Sequence, residues 1–339
     1  MAGERPFRTA TEAEFPIIDV GPYLADTPGA LDTVATEIRV AMESLGFMMF
    51  RNTGVPSAIV DAAFAATRRF HALPETAKLA IKVDQNQRGY VPQDYTRNEH
   101  SPVGDSAAVR RDASEVMIVW GERAADDPHV LAGKPLCGLN RWPGEAVLPG
   151  FRDSTIRYLD EVTALAFRML PVFARALDLS PDRLAPLFRD PTLVMRMVRY
   201  PAVGEIRTDQ FGSNAHTDSS FITFLPQADV EGLQVQTPSG EWVDQPIVPG
   251  AFVVNSGNML KRLSNDRFKA TPHRVTTAVE RDRYSLACFF SPDLDAVVAP
   301  VASCIGPDKP PLYEPIVFGD WFLRYLAGSY RHLRHRAVA

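Results

Sequence analysis

Near residue 192 the chain changes texture, and this constrains its fold more than any other feature of the sequence. From there to about residue 299 helical periodicity is almost absent. Short β-branched and aromatic runs, at 193–200, 221–225, 233–236, 251–255 and 284–290, alternate with Gly, Pro and Asn turns. Many short strands at such spacing predict a sandwich, a jelly roll or a barrel.

The first half reads differently. A short apolar run over 15–20, broken by Pro16, predicts a first strand. Leu31, Val34, Ala35, Ile38, Met42 and Leu45 then recur at helical spacing, and Gly46 ends that helix as a residue tolerant of positive φ. A buried strand is expected over 47–50, a turn at 52–54, and a helix over 57–72 with Ile59, Ala63, Phe64 and Phe70 facing inward. Pro74 separates it from a short helix at 76–81, and a long helix is expected over 151–177. The polar stretch 84–113 is either a mobile loop or a lid, and the tail over 316–333 reads helical again.

With 339 residues, 45% hydrophobic and 23% charged, the chain can bury a large core unaided, so disorder, collagen and coiled coil are excluded as its main class. A net charge of −5 argues against a nucleic-acid partner. No apolar run reaches the length of about 18 residues that a membrane span needs, so no membrane partner is expected either. Cys137, Cys288 and Cys304 are odd in number and show no C-x-x-C spacing, and the N-terminus lacks an apolar signal core. Both features predict a reducing, cytoplasmic setting.

The chemistry concentrates in the β-rich part. His216-Thr217-Asp218 puts an imidazole and a carboxylate two residues apart, hence on one face of an extended chain. His273, 57 residues downstream, is the other histidine of this section, and a few intervening strands can return it to the same mouth. Two His and one carboxylate on one face of a metal leave coordination positions open, as in Fe(II) oxygenases. Zinc hydrolases also use such a set, but no H-E-x-x-H helix occurs here to supply their usual base. Ten residues beyond His273, Arg283 and Ser285 share a strand face, a pairing suited to gripping a carboxylate.

In combination, this order resembles the non-haem Fe(II), 2-oxoglutarate-dependent oxygenases of the isopenicillin N synthase-like branch. The segments Phe15-Pro16-Ile17-Ile18-Asp19, Gly46-Phe47 through Gly54-Val55, Asn140-Arg141-Trp142-Pro143, Arg199-Tyr200-Pro201, Gly232-Leu233-Gln234-Val235 and Asn255-Ser256-Gly257-Asn258 are similar to stretches of that family. The resemblance runs from about residue 15 to 300. It implies an α+β fold: a double-stranded β-helix (jelly-roll) core, helices packed on one outer face, and an N-terminal α/β extension. It divides the chain into an N-terminal region at 14–130, a linking helical segment at 131–191, the jelly-roll domain at 192–299 and a C-terminal helical tail at 300–339. It also implies that His216, Asp218 and His273 bind Fe(II), that Arg283 and Ser285 hold the distal carboxylate of 2-oxoglutarate, and that Tyr200 hydrogen-bonds this co-substrate. Three positions depart from the family pattern, where Val198 replaces an Asn, Arg199 a Tyr and Asn258 an Asp.

The implied activity uses O2 and 2-oxoglutarate to oxidise, most simply to hydroxylate, an unactivated C–H bond of a small organic molecule, with succinate and CO2 as co-products. Cyclisation, desaturation or fragmentation at the same iron, with or without 2-oxoglutarate, is the alternative. Phe289, two steps of two beyond Ser285, is expected in the substrate pocket, as are Phe211 and Phe221 beside the His-x-Asp strand. Arg110, Arg111 and Arg207 are further candidates to meet a substrate carboxylate. The sequence carries no signal of oligomeric state.

Overall fold

The computed structural model describes residues 7–93, 95, 112–204, 210–330 and 333. The apolar run after Pro16 forms strand β1 (Ile17–Asp19), which pairs parallel to β2 (Phe47–Arg51). Between them lies helix α1 (Ala30–Ser44), whose buried stripe is Val34, Ala35, Ile38, Ala41 and Met42. Gly46 turns the chain from α1 into β2 at φ +73°, and a Cβ there would sit 2.3 Å from the Lys269 carbonyl oxygen, so both the conformation and the close approach require glycine. Helix α2 (Ser57–His71) and the short α3 (Glu75–Leu79) follow as the periodicity predicts.

Two strands of the large sheet were not legible in the sequence. They are β3 (Gly89–Val91), inside the polar stretch, and β4 (Glu115–Trp120). All six residues of β4 are buried, so it lacks the alternation that marks a half-exposed strand. It opens on a charged residue that burial normally excludes. Glu115 is tolerated because its carboxylate accepts from Lys78 Nζ (2.7 Å), Tyr90 Oη (2.6 Å) and Arg199 Nη1 (2.8 Å). Of the stretch read as a loop or lid, residues 94 and 96–111 lie outside the described residues, as do Arg110, Arg111 and Arg207.

The long helix α4 (Phe151–Ala176) packs on α1 and α2, and with α2 it covers the outer face of the large sheet. The β-rich region supplies β5 (Pro191–Tyr200), β6 (Ser213–His216), β7 (Ile222–Pro226), β8 (Leu233–Gln236), β9 (Trp242–Asp244), β10 (Phe252–Ser256), β11 (His273–Val275) and β12 (Arg283–Asp293). Together with β1–β4 they form two facing sheets among the described residues. One has eight strands in the order β1-β2-β10-β7-β12-β5-β4-β3, and the other has four in the order β6-β11-β8-β9. This is the jelly roll expected for the core, with the first two strands and β3–β4 extending the larger sheet at either edge. A six-residue helix α5 (Asn258–Leu263) follows β10, and helix α6 (Phe318–Ser329) leans over the open end. No helix among the described residues is long and apolar enough to cross a membrane. All three cysteines are free and buried.

Strand alternation divides β12 between two tasks. Leu286, Cys288 and Phe290 face the helices, where Phe290 stacks on Phe188 at 4.8 Å between ring centroids. Arg283, Ser285, Ala287 and Phe289 face the space between the sheets. The β5–β12 register places Tyr200 opposite Arg283, Val198 opposite Ser285, Arg196 opposite Ala287 and Val194 opposite Phe289.

Candidate active site

Antiparallel pairing sets His216, the last residue of β6, directly across from His273, the first of β11. Directly opposed side chains lie close together, and the two imidazole centroids are 4.3 Å apart. Asp218, two residues beyond His216, brings Oδ1 to 3.7 Å from His216 Nε2 and 3.5 Å from His273 Nε2. One donor atom from each of the three residues lies within 4.8 Å of the others.

The surrounding bonds determine which atoms are presented. His216 Nδ1 is 2.7 Å from the Asn214 carbonyl oxygen, and His273 Nδ1 is 3.1 Å from that of Thr271. A carbonyl only accepts, so each Nδ1 carries the proton and each Nε2 keeps a lone pair turned toward Asp218. Asp218 Oδ2 accepts from Thr223 Oγ1 (2.6 Å) and Asn255 Nδ2 (2.7 Å), leaving Oδ1 as the third donor. Burial, with the neighbouring imidazole, lowers the pKa of His216 to about 4, so it is neutral at physiological pH. Burial acts against ionisation of Asp218, but the two imidazoles and Thr223 outweigh it and hold the carboxyl well below its usual range. Burial likewise opposes a charge on His273, and the Asp218 carboxylate overcomes it, raising that pKa. Two imidazole nitrogens and one carboxylate oxygen converging on a point, each steadied from behind, fit a divalent transition metal with open positions.

Asn255 and Thr223, which bond the candidate ligand Asp218, were missed as individuals by sequence reasoning, since nothing in their spacing ties them to it. If the triad holds a divalent metal, Asn255→Ala is expected to weaken its binding by about 10- to 100-fold with the fold intact, because Oδ2 loses one of its two restraints. Anaerobic iron titration beside a thermal melt checks this.

Beside the triad, a chamber of about 80 Å³ runs toward Arg283. Arg283 Nε donates to the Val230 carbonyl at 3.1 Å, and its guanidinium carbon lies 5.1 Å from the centre of the Tyr200 ring. Gly232, at φ +145°, passes so close that a Cβ there would stand 3.3 Å from Arg283 Cδ. Ser285 lies on the same wall, and Leu225, Leu233 and Val275 are apolar lining. The chamber is thus cationic at one end, apolar along its length and open to the triad at the other.

The departures from the family pattern separate by side. Val198 faces the chamber and gives it a methyl wall. Arg199 faces away, binding Glu115 (2.8 Å) and Asp282 (2.7 Å). At Asn258 the backbone N–H donates to the Asp218 carbonyl at 2.7 Å, a main-chain bond that does not depend on the substituted side chain.

A second cavity, of about 110 Å³, adjoins the triad under α6. Phe289 lines it, together with Ile118, Trp120, Phe322 and Tyr325. Two of the expected pocket residues lie elsewhere. Phe221 is turned into the core, with ring contacts to Phe173 (5.8 Å) and Phe188 (5.0 Å). Phe211 covers the guanidinium of Arg274 at 4.7 Å. Both flank the His-x-Asp strand in sequence, but adjacency along the chain did not fix the face they present. Conversely, Trp120 and Phe322 were missed because they come from β4 and α6, remote in sequence from the triad.

A family model described as the 2OG-Fe(II) oxygenase superfamily matches residues 190–292, and one described as the N-terminal region of non-haem dioxygenases in morphine synthesis matches 15–145. The chain is 33% identical over 332 residues to the 2-oxoglutarate-Fe(II) type oxidoreductase hxnY of Emericella nidulans, covering 96% of this chain and 91% of that one. It is 32% identical over 304 residues to the 2-oxoglutarate-dependent dioxygenase citB of Monascus ruber, covering 87% and 90%. Among solved structures, a full-length Neurospora crassa protein in complex with alpha-KG superposes with a TM-score of 0.81 at 25% identity, covering 95% of this chain and 99% of that one. JOX2 in complex with 2OG, Fe and JA gives 0.74 at 27%, covering 98% and 91%.

Proposed function

The chain belongs to the 2-oxoglutarate–Fe(II) oxygenase superfamily, and on that premise we propose that His216, Asp218 and His273 hold the iron, while Arg283, Ser285 and Tyr200 seat 2-oxoglutarate. The enzyme is a 2-oxoglutarate-dependent dioxygenase that oxidises a small organic molecule. Hydroxylation of a C–H bond is the outcome we assign to it. Iron and 2-oxoglutarate supply the oxidising power, with succinate and CO2 leaving as products.

The protein's own part is positioning. The Nδ1–carbonyl bonds fix both imidazole rings, and Thr223 with Asn255 fixes the carboxylate, so the donor set needs little reorganisation when it is loaded. Arg283, steadied by Val230 and the Tyr200 ring, presents its fork to a carboxylate at the far end of the chamber. The apolar walls exclude water along the co-substrate's methylenes. The second cavity, which Arg283 does not line, holds the substrate against Phe289.

One observation carries this reading: Asp218 Oδ1 faces both Nε2 atoms while the chamber containing Arg283 and Ser285 opens on the same point. The test loads the protein anaerobically with Fe(II) and 2-oxoglutarate, looks for the visible charge-transfer band of the chelate, and then admits oxygen. Succinate formed one for one with oxygen consumed is expected. Oxygen consumption without succinate would overturn the co-substrate assignment.

A further inference from the structure

Arg196 belongs to neither group of residues described above, yet it lines both cavities next to His216 and Asp218. It projects inward from β5 opposite Ala287, whose small side chain leaves room for it. It is largely buried, and its one hydrogen bond among the described residues is to the Tyr330 hydroxyl, at 3.3 Å. No carboxylate of the described residues stands within ion-pair distance of it. The two acids in the cavity walls are otherwise engaged. Asp218 is directed at the metal position, and Asp112 Oδ1 accepts from the Asn214 backbone N–H (2.9 Å) and Nδ2 (2.8 Å).

A part-buried guanidinium that makes no direct ion pair keeps most of its bonding capacity unused, and it cannot escape by losing its proton. Formal charges sharpen the point. Ferrous iron with Asp218 carries one positive charge, and a doubly charged 2-oxoglutarate with Arg283 carries one negative charge. The loaded triad and chamber are therefore neutral, which leaves Arg196 and Asp112 as the charged side chains of the substrate cavity; Asp112 is bonded to Asn214 and makes no ion pair with Arg196, so the guanidinium fork stays open to a ligand. The rest of that cavity is mainly apolar around Phe289, Phe322, Ile118 and Val194.

We infer that the substrate is a small organic carboxylate whose acid group pairs with Arg196 while its apolar body lies against Phe289 and Phe322. The inference rests on the oxygenase reading and narrows it to a substrate class. Charge-assisted, bidentate pairing fixes one end of the molecule, so the C–H bond to be oxidised lies a set distance from the acid. Tyr330, from the end of the α6 segment, is the natural second donor to the same carboxylate.

The test uses the full-length enzyme loaded with Fe(II) and saturating 2-oxoglutarate, without oxygen. Benzoate, phenylacetate and hexanoate are each titrated against their own carboxamides by calorimetry and by perturbation of the charge-transfer band. At least one acid is expected to bind about 10- to 100-fold more tightly than its amide. Arg196→Gln is expected to collapse that ratio to near one, and Arg196→Lys to restore part of it. In both variants 2-oxoglutarate affinity is expected to stay within about threefold of wild type, a readout that a merely structural role would not spare. Equal binding of acids and amides, no saturable binding by any acid, or a ratio that survives in Arg196→Gln would overturn the proposal. So would a selective loss of 2-oxoglutarate affinity, which would assign Arg196 to the co-substrate. Failure of the wild type to form the chelate at all would overturn the oxygenase reading and this inference with it, and is seen before any acid is added.

Discussion

Asp218→Ala is expected to abolish succinate formation and to weaken Fe(II) binding by more than the roughly 10- to 100-fold that loss of an outlying partner costs. Asp218 is the one anionic donor of the three, and removing it leaves two neutral imidazoles to hold a dication. It is also the residue on which the supporting bonds converge, since Thr223 and Asn255 both donate to Oδ2. Their donors would then face a vacated site, and His273 would lose the charge that raises its pKa. Asp218→Glu keeps the charge but advances the oxygen by one methylene, out of register with both Nε2 atoms, and should recover little. Iron titration, succinate yield and a melting curve of the metal-free protein separate a lost ligand from a lost fold. Iron binding and turnover close to wild type in Asp218→Ala would remove the proposed centre altogether.

The triad could be read from the sequence because its geometry is local. His216 and Asp218 share a strand face by the two-residue repeat, and His273 needed only a strand return, which the pairing of β6 with β11 provides. The same repeat, counted along β12, put Arg283, Ser285 and Phe289 on one wall, and that wall is continuous in the structure. Residues whose role depends on which strand lies beside which were not readable in this way. Arg196 faces the cavity because β5 pairs with β12 in one particular register, and Asn255 meets Asp218 because β10 and β7 are neighbours. Phe221 is the converse case. It is close to the triad in sequence, but the core beneath α4 claimed its ring through Phe173 and Phe188. The long helices α1, α2 and α4 were legible because an amphipathic stripe repeats over many turns, whereas the six-residue α5 is too short to show one. Strand β4 was not, because burial on both faces erases the alternation and its opening glutamate disguises it.

Arg283→Gln is expected to raise the KM for 2-oxoglutarate by about 10²- to 10³-fold, the usual consequence of truncating one partner of a buried, hydrogen-bonded charge pair. The effect should fall on KM far more than on kcat, because the distal carboxylate is bound equally in the ground state and the transition state, so saturating co-substrate should restore much of the rate. Ser285→Ala removes one neutral donor and should cost only about fivefold. Arg283→Lys keeps a charge but loses the fork, including the Nε–H that bonds the Val230 carbonyl, and should fall between the two. The Ser285 variant leaves the contacts of Arg283 with Val230, Tyr200 and Gly232 in place, so its graded defect shows that the chamber is being read rather than a collapsed loop. An Arg283→Gln enzyme with unchanged KM and a reduced kcat would place the guanidinium outside the co-substrate's reach. The charge balance around the iron would then have to be drawn without it, and Arg196 would become the leading candidate to hold the co-substrate.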